Sequence, residues 1–368
     1  MPLTRKRERG DRSWISFRRW ILILLAFVTF SVTFYGKLLR NSSEWWPPRR
    51  RSADNQASAL ATITALLTSH RLAVEEELPK LVLNISRSEP PYLYVTFRDE
   101  WDGLVSPSMR ANGGLFDAHI HRLFDRLMRE PGVLERCQQG SELVIDAGMN
   151  FGSFALYAAN RGCRVLGFEM QPSVAAAVLL AAHLNGFARQ LQVVPHPVWN
   201  QSDEVLVFYP RRDNVGGTHA MDASSVGNDS FSAAVHLRTV RIEDWVPRRS
   251  LVRFMKLDVE GSELEALRGM LDLLRRKRVL NLVMELQPEA SYRRALQLLY
   301  SCGYRCIELQ LLNKEELEHT ELPLARFKQE PPTEAAFWDS FNFHGSDLWC
   351  IPWVASARSL SASSRVGV

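Results

Sequence analysis

The stretch VIDAGMNFGSFALYAA, residues 144–159, decides the fold. Its apolar start predicts a short strand that ends at Asp146, and the residues after Gly152 predict a helix. Between them, Gly148 and Gly152 allow the backbone to turn tightly and to approach a ligand closely. Ligands of open α/β sheets bind beyond the carboxyl ends of the strands, next to the free N–H groups of the following helix. We therefore expect a nucleotide-type ligand at this turn.

Strand and helix patterns alternate along the chain around this stretch. Such alternation with short connections predicts an α/β domain, in which helices cover both faces of a parallel sheet. The predicted strands are 143–146, 164–168, 191–194, 205–209, 235–240, 252–257 and 279–285, with 304–309 and 347–353 closing the sheet. The predicted helices are 151–160, 173–185, 262–276 and 290–300. Before this domain, the pattern predicts a helix over 57–83, a strand over 92–97 and a second helix over 116–128.

The residues of the turn distinguish two kinds of nucleotide ligand. A dinucleotide site has the pattern GxGxxG, which places a pyrophosphate on the helix N-terminus. Here Asp146 leads a D-x-G-x-N-x-G turn that also contains Asn150. An acid suits a cation, and S-adenosylmethionine carries a positive amino group and a positive sulfonium. Glu169 ends the next predicted strand, where a carboxylate can accept the ribose hydroxyls of an adenosine. We therefore assign Asp146, Gly148, Asn150, Gly152 and Glu169 to cofactor binding.

A second motif is RFMKLDVEGSELEALRGM, residues 253–270. Its predicted strand delivers Lys256, Asp258 and Glu260 to the carboxyl edge of the sheet, where charged groups are costly unless they bind something. Ser262 is expected to open the next helix, with Glu265 at capping-box distance. The alternative is a structural ion pair of Lys256 with a carboxylate, with the later glutamates on a solvated helix face. Glu285 ends the following predicted strand in the same row.

These motifs together resemble the FkbM family of methyltransferases. The resemblance rests on DAGMNFG at 146–152, FEMQP at 168–172, KLDVEGSE at 256–263 and the preceding VRIEDWV at 240–246, and it covers residues 141–311. It implies a class I methyltransferase, Rossmann-like fold, with seven strands of which one is antiparallel. It also implies S-adenosylmethionine as cofactor and O-methylation of a sugar or another small-molecule hydroxyl. Met170 departs from the residue that the family often has at its turn.

Methyl transfer to a hydroxyl needs alignment and a base within hydrogen-bond reach of the acceptor. We assign the base to Asp258, with Glu260 as the second candidate and Lys256 orienting the carboxylate. His219 in the Gly-rich loop is an alternative base. The carboxylates of Asp258, Glu260 and Glu285 suit a divalent ion, but their spacing does not demand one, so no metal site is assigned.

The N-terminal region predicts a membrane anchor. We divide the chain into a basic cytosolic tail at 1–19, a transmembrane helix at 20–36, a stem at 37–56, an N-terminal helical cap at 57–140, the methyltransferase domain at 141–355 and a disordered tail at 356–368. The heavier basic count before the apolar run predicts a type II protein with its catalytic domain in the lumen of the endoplasmic reticulum or Golgi. An organelle targeting peptide is the main rival. N-x-S sequons begin at Asn41, Asn84, Asn200 and Asn228.

Charge and cysteine content limit the partners. The net charge is +4, so we expect no nucleic-acid partner. The five cysteines form no CxxC pair, which argues against a zinc site. We interpret them as small buried hydrophobes, with a disulfide as the alternative in an oxidising lumen.

Two other classes of function compete with the enzyme. A methyltransferase fold kept as a catalytically inactive binding or scaffold module is the main alternative, but the intact Asp146, Gly148, Glu169 and Asp258 argue against it. An oxidoreductase lacks its GxGxxG turn.

Overall fold

The computed structural model describes residues 53–69, 72–211, 214–218, 234–286, 290–309 and 346–352. The predicted cytosolic tail, the transmembrane helix, most of the stem, His219 and the C-terminal tail lie outside these ranges. Within them, no helix is both long and apolar enough to cross a membrane.

A seven-stranded sheet forms the centre of the molecule, in the order β10-β11-β9-β8-β3-β4-β5. β11 runs antiparallel to both of its neighbours, and the other pairs are parallel. The predicted sheet with one antiparallel strand is therefore confirmed. The strands are β3 (Glu142–Ala147), β4 (Arg164–Phe168), β5 (Leu191–Val194), β8 (Leu251–Leu257), β9 (Leu282–Leu286), β10 (Tyr304–Glu308) and β11 (Ser346–Pro352).

Helices pack on both faces of the sheet because its central strands are apolar on both sides. One core lies between one face of the sheet and helices that precede β5 in the chain, and a second core lies on the other face, beneath one short helix before β8 and the helices after it. The first group consists of α3 (Val105–Ala111), α4 (Ala118–Met128), α5 (Val133–Gln139), α6 (Ser153–Asn160) and α7 (Pro172–Asn185). The second group consists of α8 (Ile242–Trp245), α9 (Glu263–Arg268), α10 (Leu271–Arg275) and α11 (Ala290–Ser301).

The N-terminal region differs from the long helix that the pattern at 57–83 predicts. Helix α1 (Ala53–Ser69) ends early, and α2 (Val74–Glu77) is followed by a 3₁₀ turn, Leu78–Lys80. Strand β1 (Leu81–Ile85) then pairs antiparallel with β2 (Leu93–Phe97). The apolar and β-branched residues of β1 satisfy their backbone groups in this hairpin, and Pro79 interrupts the helical pattern.

Two predicted strands form a separate ribbon. β6 (Val205–Phe208) and β7 (Val235–Arg238) pair with each other outside the main sheet. They flank residues 209–234, of which the structure describes 209–211, 214–218 and 234.

Four of the five cysteines form disulfides. Cys137 on α5 is joined to Cys163 before β4, and Cys306 on β10 is joined to its register partner Cys350 on β11. Cys302 is buried and reduced. Our interpretation of the cysteines as small buried hydrophobes therefore holds for Cys302 alone, because the other four lie close enough in pairs to be bonded.

Candidate active site

A pocket of about 270 Å³ opens at the carboxyl ends of β3, β4, β8 and β9. The two sequence motifs meet there, because the carboxyl ends of neighbouring parallel strands lie at one edge of the sheet. All eight residues that we assigned to cofactor binding or catalysis lie at this edge, and seven of them line the pocket. The seven are Asp146, Gly148, Asn150, Glu169, Lys256, Asp258 and Glu260. The eighth, Gly152, is the residue before α6.

The turn after β3 needs its glycine for two reasons. Gly148 has φ +78°, in the region that side chains rarely adopt. A Cβ atom there would lie 1.7 Å from the carbonyl oxygen of Asp258. Asn150 also has positive φ, at +50°, which asparagine tolerates better than most residues. The cofactor turn thus packs directly on the backbone that carries the proposed base.

Asp146 is buried at the floor of the pocket. Its Oδ2 accepts a hydrogen bond of 2.8 Å from the N–H of Ala155 in α6, and its buried Oδ1 has no partner among the described residues. Burial raises the pKa of Asp146 to about 6, although Lys256 and the bond from Ala155 oppose the shift. A buried carboxylate with a spare acceptor atom is suited to a cationic or hydrogen-bond-donating ligand.

Glu169 connects the end of β4 to the turn. Its Oε2 accepts the N–H of Asn150 at 2.9 Å, and its Oε1 accepts the N–H of Gln171 at 2.8 Å. Burial raises the pKa of Glu169 to about 7. Since a carboxylate has about four acceptor positions, two remain for a ligand such as a ribose diol.

Lys256 is the cation of an otherwise acidic pocket. Its Nζ lies 2.6 Å from Asp258 Oδ2 and 3.9 Å from Asp117 Oδ2. Burial by itself would lower the pKa of Lys256, but Asp258, Asp146 and Asp117 outweigh it and raise the pKa. Lys256 is therefore a fixed positive charge that holds Asp258 in place. The ion pair of our structural alternative is thus present, but it lies inside the pocket.

Glu260 follows at the pocket rim, with φ +49°. Partial burial, reinforced by Asp258, Glu285 and Glu263, raises the pKa of Glu260 to about 8. Burial and the same acidic surroundings also raise the pKa of Glu285 at the end of β9. Both shifts bring the pKa of these carboxyl groups towards neutral pH.

The start of α9 differs from the expected capping box. Ser262 makes no side-chain capping bond, and Glu265 instead accepts bonds from Asn200 and Arg268. Glu263 is buried, and its Oε1 accepts the N–H groups of Val259 and Gly261, both at 3.1 Å. Its carboxylate shapes the turn that carries Glu260, so it is not on a solvated face.

Three polar residues of this edge were missed by the sequence motifs. Asp117 precedes α4 and faces Lys256, and His119 Nε2 lies 2.5 Å from Asp347 Oδ2 on β11. They come from segments far from either motif, so no spacing rule identifies them. His121, by contrast, is buried against Ser153, and burial lowers its pKa to about 3. The two histidines thus have different partners, as their spacing on a helix predicts.

A short segment after β6 closes one side of the pocket. The carbonyl of Val215 accepts a bond of 2.8 Å from Gln171 Nε2, and the buried Asp102 carboxylate faces the Val215 N–H at 3.4 Å. This segment links the N-terminal region to the cofactor turn. The rest of the loop, including the alternative base His219, lies outside the described residues.

Among the described residues, no group of three or more His, Cys, Asp or Glu side chains could hold a metal ion. The acidic row is instead arranged around Lys256, and the unpartnered Oδ1 of Asp146 points to a ligand that brings its own positive charge or donors. These features fit S-adenosylmethionine.

Residues 146–306 match the profile of the Methyltransferase FkbM domain. The chain carries an FkbM methyltransferase domain. The cofactor that this match implies is S-adenosylmethionine. The resemblance inferred from the motifs is thus confirmed, and the match includes both motifs and the strands β4, β5, β8 and β9. Among curated proteins, none matches the chain.

Several solved structures are similar to parts of the chain, all at low sequence identity. The N-terminal domain of human METTL16 is 13% identical with a TM-score of 0.33, over 67% of this chain and 70% of that one. A methyltransferase from Agrobacterium tumefaciens is also 13% identical, with a TM-score of 0.33, over 59% of each chain. The rRNA methyltransferase RsmC of T. thermophilus, in complex with AdoMet and guanosine, is 11% identical with a TM-score of 0.34, over 74% of this chain and 50% of that one.

Proposed function

We propose that this chain is an active O-methyltransferase that modifies a hydroxyl of a glycan or another small molecule on the lumenal side of a membrane. The observation that carries the proposal is the juxtaposition of an acidic cofactor cradle with Glu260, a carboxyl group whose pKa is raised to about 8, in one pocket. A scaffold module that binds no ligand has no use for this arrangement, because each buried acid costs stability.

Cofactor binding is assigned to the turn after β3 and the end of β4. Asp146 offers its free Oδ1 to the positive part of S-adenosylmethionine, and Glu169 offers its remaining acceptor positions to the ribose. When bound, S-adenosylmethionine supplies a methyl group on a positively charged sulfur. Positive ligand charge in this pocket favours the ionised form of its carboxyl groups.

We assign removal of the proton from the acceptor hydroxyl to a carboxylate of the second motif. Asp258, our first candidate, is held 2.6 Å from Lys256, which fixes its orientation. Glu260 has no such cation within salt-bridge distance among the described residues, and its raised pKa suits a base that works near neutral pH. We therefore place Glu260 ahead of Asp258 as the base, with Asp258 and Lys256 positioning the acceptor.

The lumenal location is supported by the disulfides. Disulfides persist in oxidising compartments and are rare in the cytosol, and Cys137–Cys163 and Cys306–Cys350 are two of them in one domain. The sequons are less informative. Asn84 Nδ2 donates to Val82 O and Thr96 Oγ1, and Asn200 Nδ2 donates to Glu265, so neither amide is free for a glycan. Asn228, outside the described residues, is the sequon whose occupancy best tests the topology.

The first test is calorimetric titration of S-adenosylmethionine into the full chain in detergent. We expect saturable binding that is weakened in Asp146→Ala and Glu169→Ala. Transfer of a tritiated methyl group to a panel of neutral and acidic oligosaccharides then tests the acceptor class. A folded wild-type chain that binds no S-adenosylmethionine would overturn the enzyme and favour the scaffold alternative. Binding without transfer to any sugar would instead exclude the glycan acceptor.

A further inference from the structure

The two ends of the strands in the central sheet carry opposite charge. The carboxyl edge holds the acidic pocket, whereas basic residues collect where the strands begin. Six cations lie in two short segments before β8 and β9: Arg248, Arg249, Arg275, Arg276, Lys277 and Arg278. We call these six residues the basic edge. It lies outside the cofactor pocket and plays no part in the chemistry proposed above.

The side chain of Arg278 joins the two segments into a single surface. The guanidinium of Arg278 donates from Nε to the carbonyl of Ser250 at 3.0 Å and from Nη2 to the same carbonyl at 2.7 Å. A further Nη2 contact reaches the carbonyl of Pro247. These acceptors are neutral, so the contacts fix Arg278 without cancelling its charge. The residues directly before β8 and those directly before β9 are therefore held next to each other by hydrogen bonds.

Little of the charge is neutralised. Arg276 is paired with Asp272 on the previous helical turn. By contrast, Arg248, Arg249 and Arg275 are exposed and form no hydrogen bond or ion pair with the described residues. Exposed side chains of one sign, held together and without counter-charges, form a field that favours an anionic partner.

The positive surface continues along the sheet. At the start of β3, Glu142 is bonded by both Arg253 and Arg136, which leaves an excess of one positive charge. Beyond it, Arg164 is exposed at the start of β4. Since β9, β8, β3 and β4 are neighbours and adjacent strands are about 4.8 Å apart, the row extends for roughly 14 Å. Such a row matches a linear polymer with repeated negative charges better than a single small anion.

The disulfides indicate which polyanion the basic edge binds: an acidic polysaccharide, which is linear, or the planar surface of an anionic membrane. Anionic phospholipids face the cytosol, but two disulfides indicate an oxidising compartment for this domain. We infer that the basic edge binds an acidic polysaccharide, whose sulfate or carboxylate groups are contacted by the exposed arginines. This inference does not rest on methyl transfer, because the surface and the pocket lie at opposite edges of the sheet.

The test is the affinity of the full chain in detergent for heparin and for uncharged dextran, measured by surface plasmon resonance. The variant Arg248→Glu with Arg249→Glu should weaken heparin binding about tenfold or more and reduce its dependence on salt, because two cationic contacts are reversed. A matched control is Arg122→Glu with Arg294→Glu, which reverses the same charge at exposed positions of α4 and α11. This control should bind heparin nearly as well as the wild type.

Titration of S-adenosylmethionine shows that each variant is folded, since none of the four arginines lines the pocket. Equal heparin affinity in the basic-edge variant and the control would overturn the proposal. So would basic-edge-dependent binding to phosphatidylserine vesicles but not to heparin, which would assign the surface to a membrane. Equal binding to dextran and heparin would contradict any role of charge.

Discussion

A Cβ atom on Gly148 would lie 1.7 Å from the carbonyl oxygen of Asp258, so the cofactor turn is in backbone contact with the residue that directly follows β8. The two motifs are distant in sequence, yet their backbones pack against each other, and the N–H of Asp258 donates to the carbonyl of Ala147 at 2.9 Å. A change at the turn is therefore transmitted directly to the residues that we assign to proton transfer.

We predict that Gly148→Ala abolishes detectable binding of S-adenosylmethionine and lowers the stability of the fold. Gly261→Ala is the matched control, because Gly261 also has positive φ, at +87°, but a Cβ there meets nothing within 4 Å. Both variants bear the cost of positive φ, about 1–2 kcal/mol. The additional loss in Gly148→Ala measures the clash with Asp258. Equal stability and equal binding in the two variants would contradict the contact.

The affinity for S-adenosylmethionine should depend on pH through Asp146. The cationic ligand prefers the ionised carboxylate, and the pKa of Asp146 in the free protein is raised to about 6. The contribution of Asp146 to the affinity is therefore largest above this pKa and falls as the pH drops below about 6. Calorimetry from pH 5 to pH 8 measures the dependence. In Asp146→Asn the affinity should be low at every pH and should lose this component of its pH dependence. A wild-type affinity that is constant from pH 5 to pH 8 would argue against the assignment of Asp146 to cofactor binding.

Much of this arrangement can be predicted from the sequence. The order of strands and helices follows local periodicity, and residues such as Asp146 and Glu169 directly follow strands whose ends must share one edge. Their position in one pocket is therefore fixed by topology. The exact capping of α9 was less predictable, because Ser262 makes no capping bond and Glu263 instead accepts the N–H groups of Val259 and Gly261 in the turn before the helix.

Other features depend on contacts between distant segments, which no local pattern encodes. His119 meets Asp347 across more than two hundred residues, and Asp117 approaches Lys256 from the N-terminal region. The pairing of Cys306 with Cys350 likewise follows from the register of β10 and β11. The prediction of a helix through residue 83 was wrong for a related reason. The apolar residues of β1 form a strand because their backbone groups pair with those of β2.

Glu260 should weaken the fold at high pH. Its folded pKa is raised to about 8, above the usual value near 4.5, so the native state binds more protons between these limits. The free energy of unfolding therefore falls as pH rises through this window. Glu260→Gln should raise the Tm by about 2–4 °C at pH 8.5, which corresponds to ~1 kcal/mol, and should leave it unchanged at pH 4.5. The same variant should slow methyl transfer if Glu260 is the base.

Glu100→Gln provides the control for that experiment, because Glu100 is exposed and lies in a turn of the N-terminal region. Its Tm should follow that of the wild type at both pH values. Scanning calorimetry gives all three curves. A wild-type Tm equal to that of Glu260→Gln at pH 8.5 would show that the Glu260 carboxyl group is not held in an unfavourable environment.

The disulfide between Cys306 and Cys350 should be a major contributor to stability. It closes a loop with a sequence separation of 44, for which the chain-entropy relation gives about 4 kcal/mol of stabilisation. The double variant Cys306→Ala with Cys350→Ala should lower the free energy of unfolding in denaturant by an amount of this order. Cys302→Ala, which removes a buried but reduced cysteine, should cost less. Reducing agent should destabilise the wild type strongly and the double variant less, because the double variant retains only the Cys137–Cys163 disulfide. An equal loss of stability in both proteins would show that the Cys306–Cys350 bond does not form.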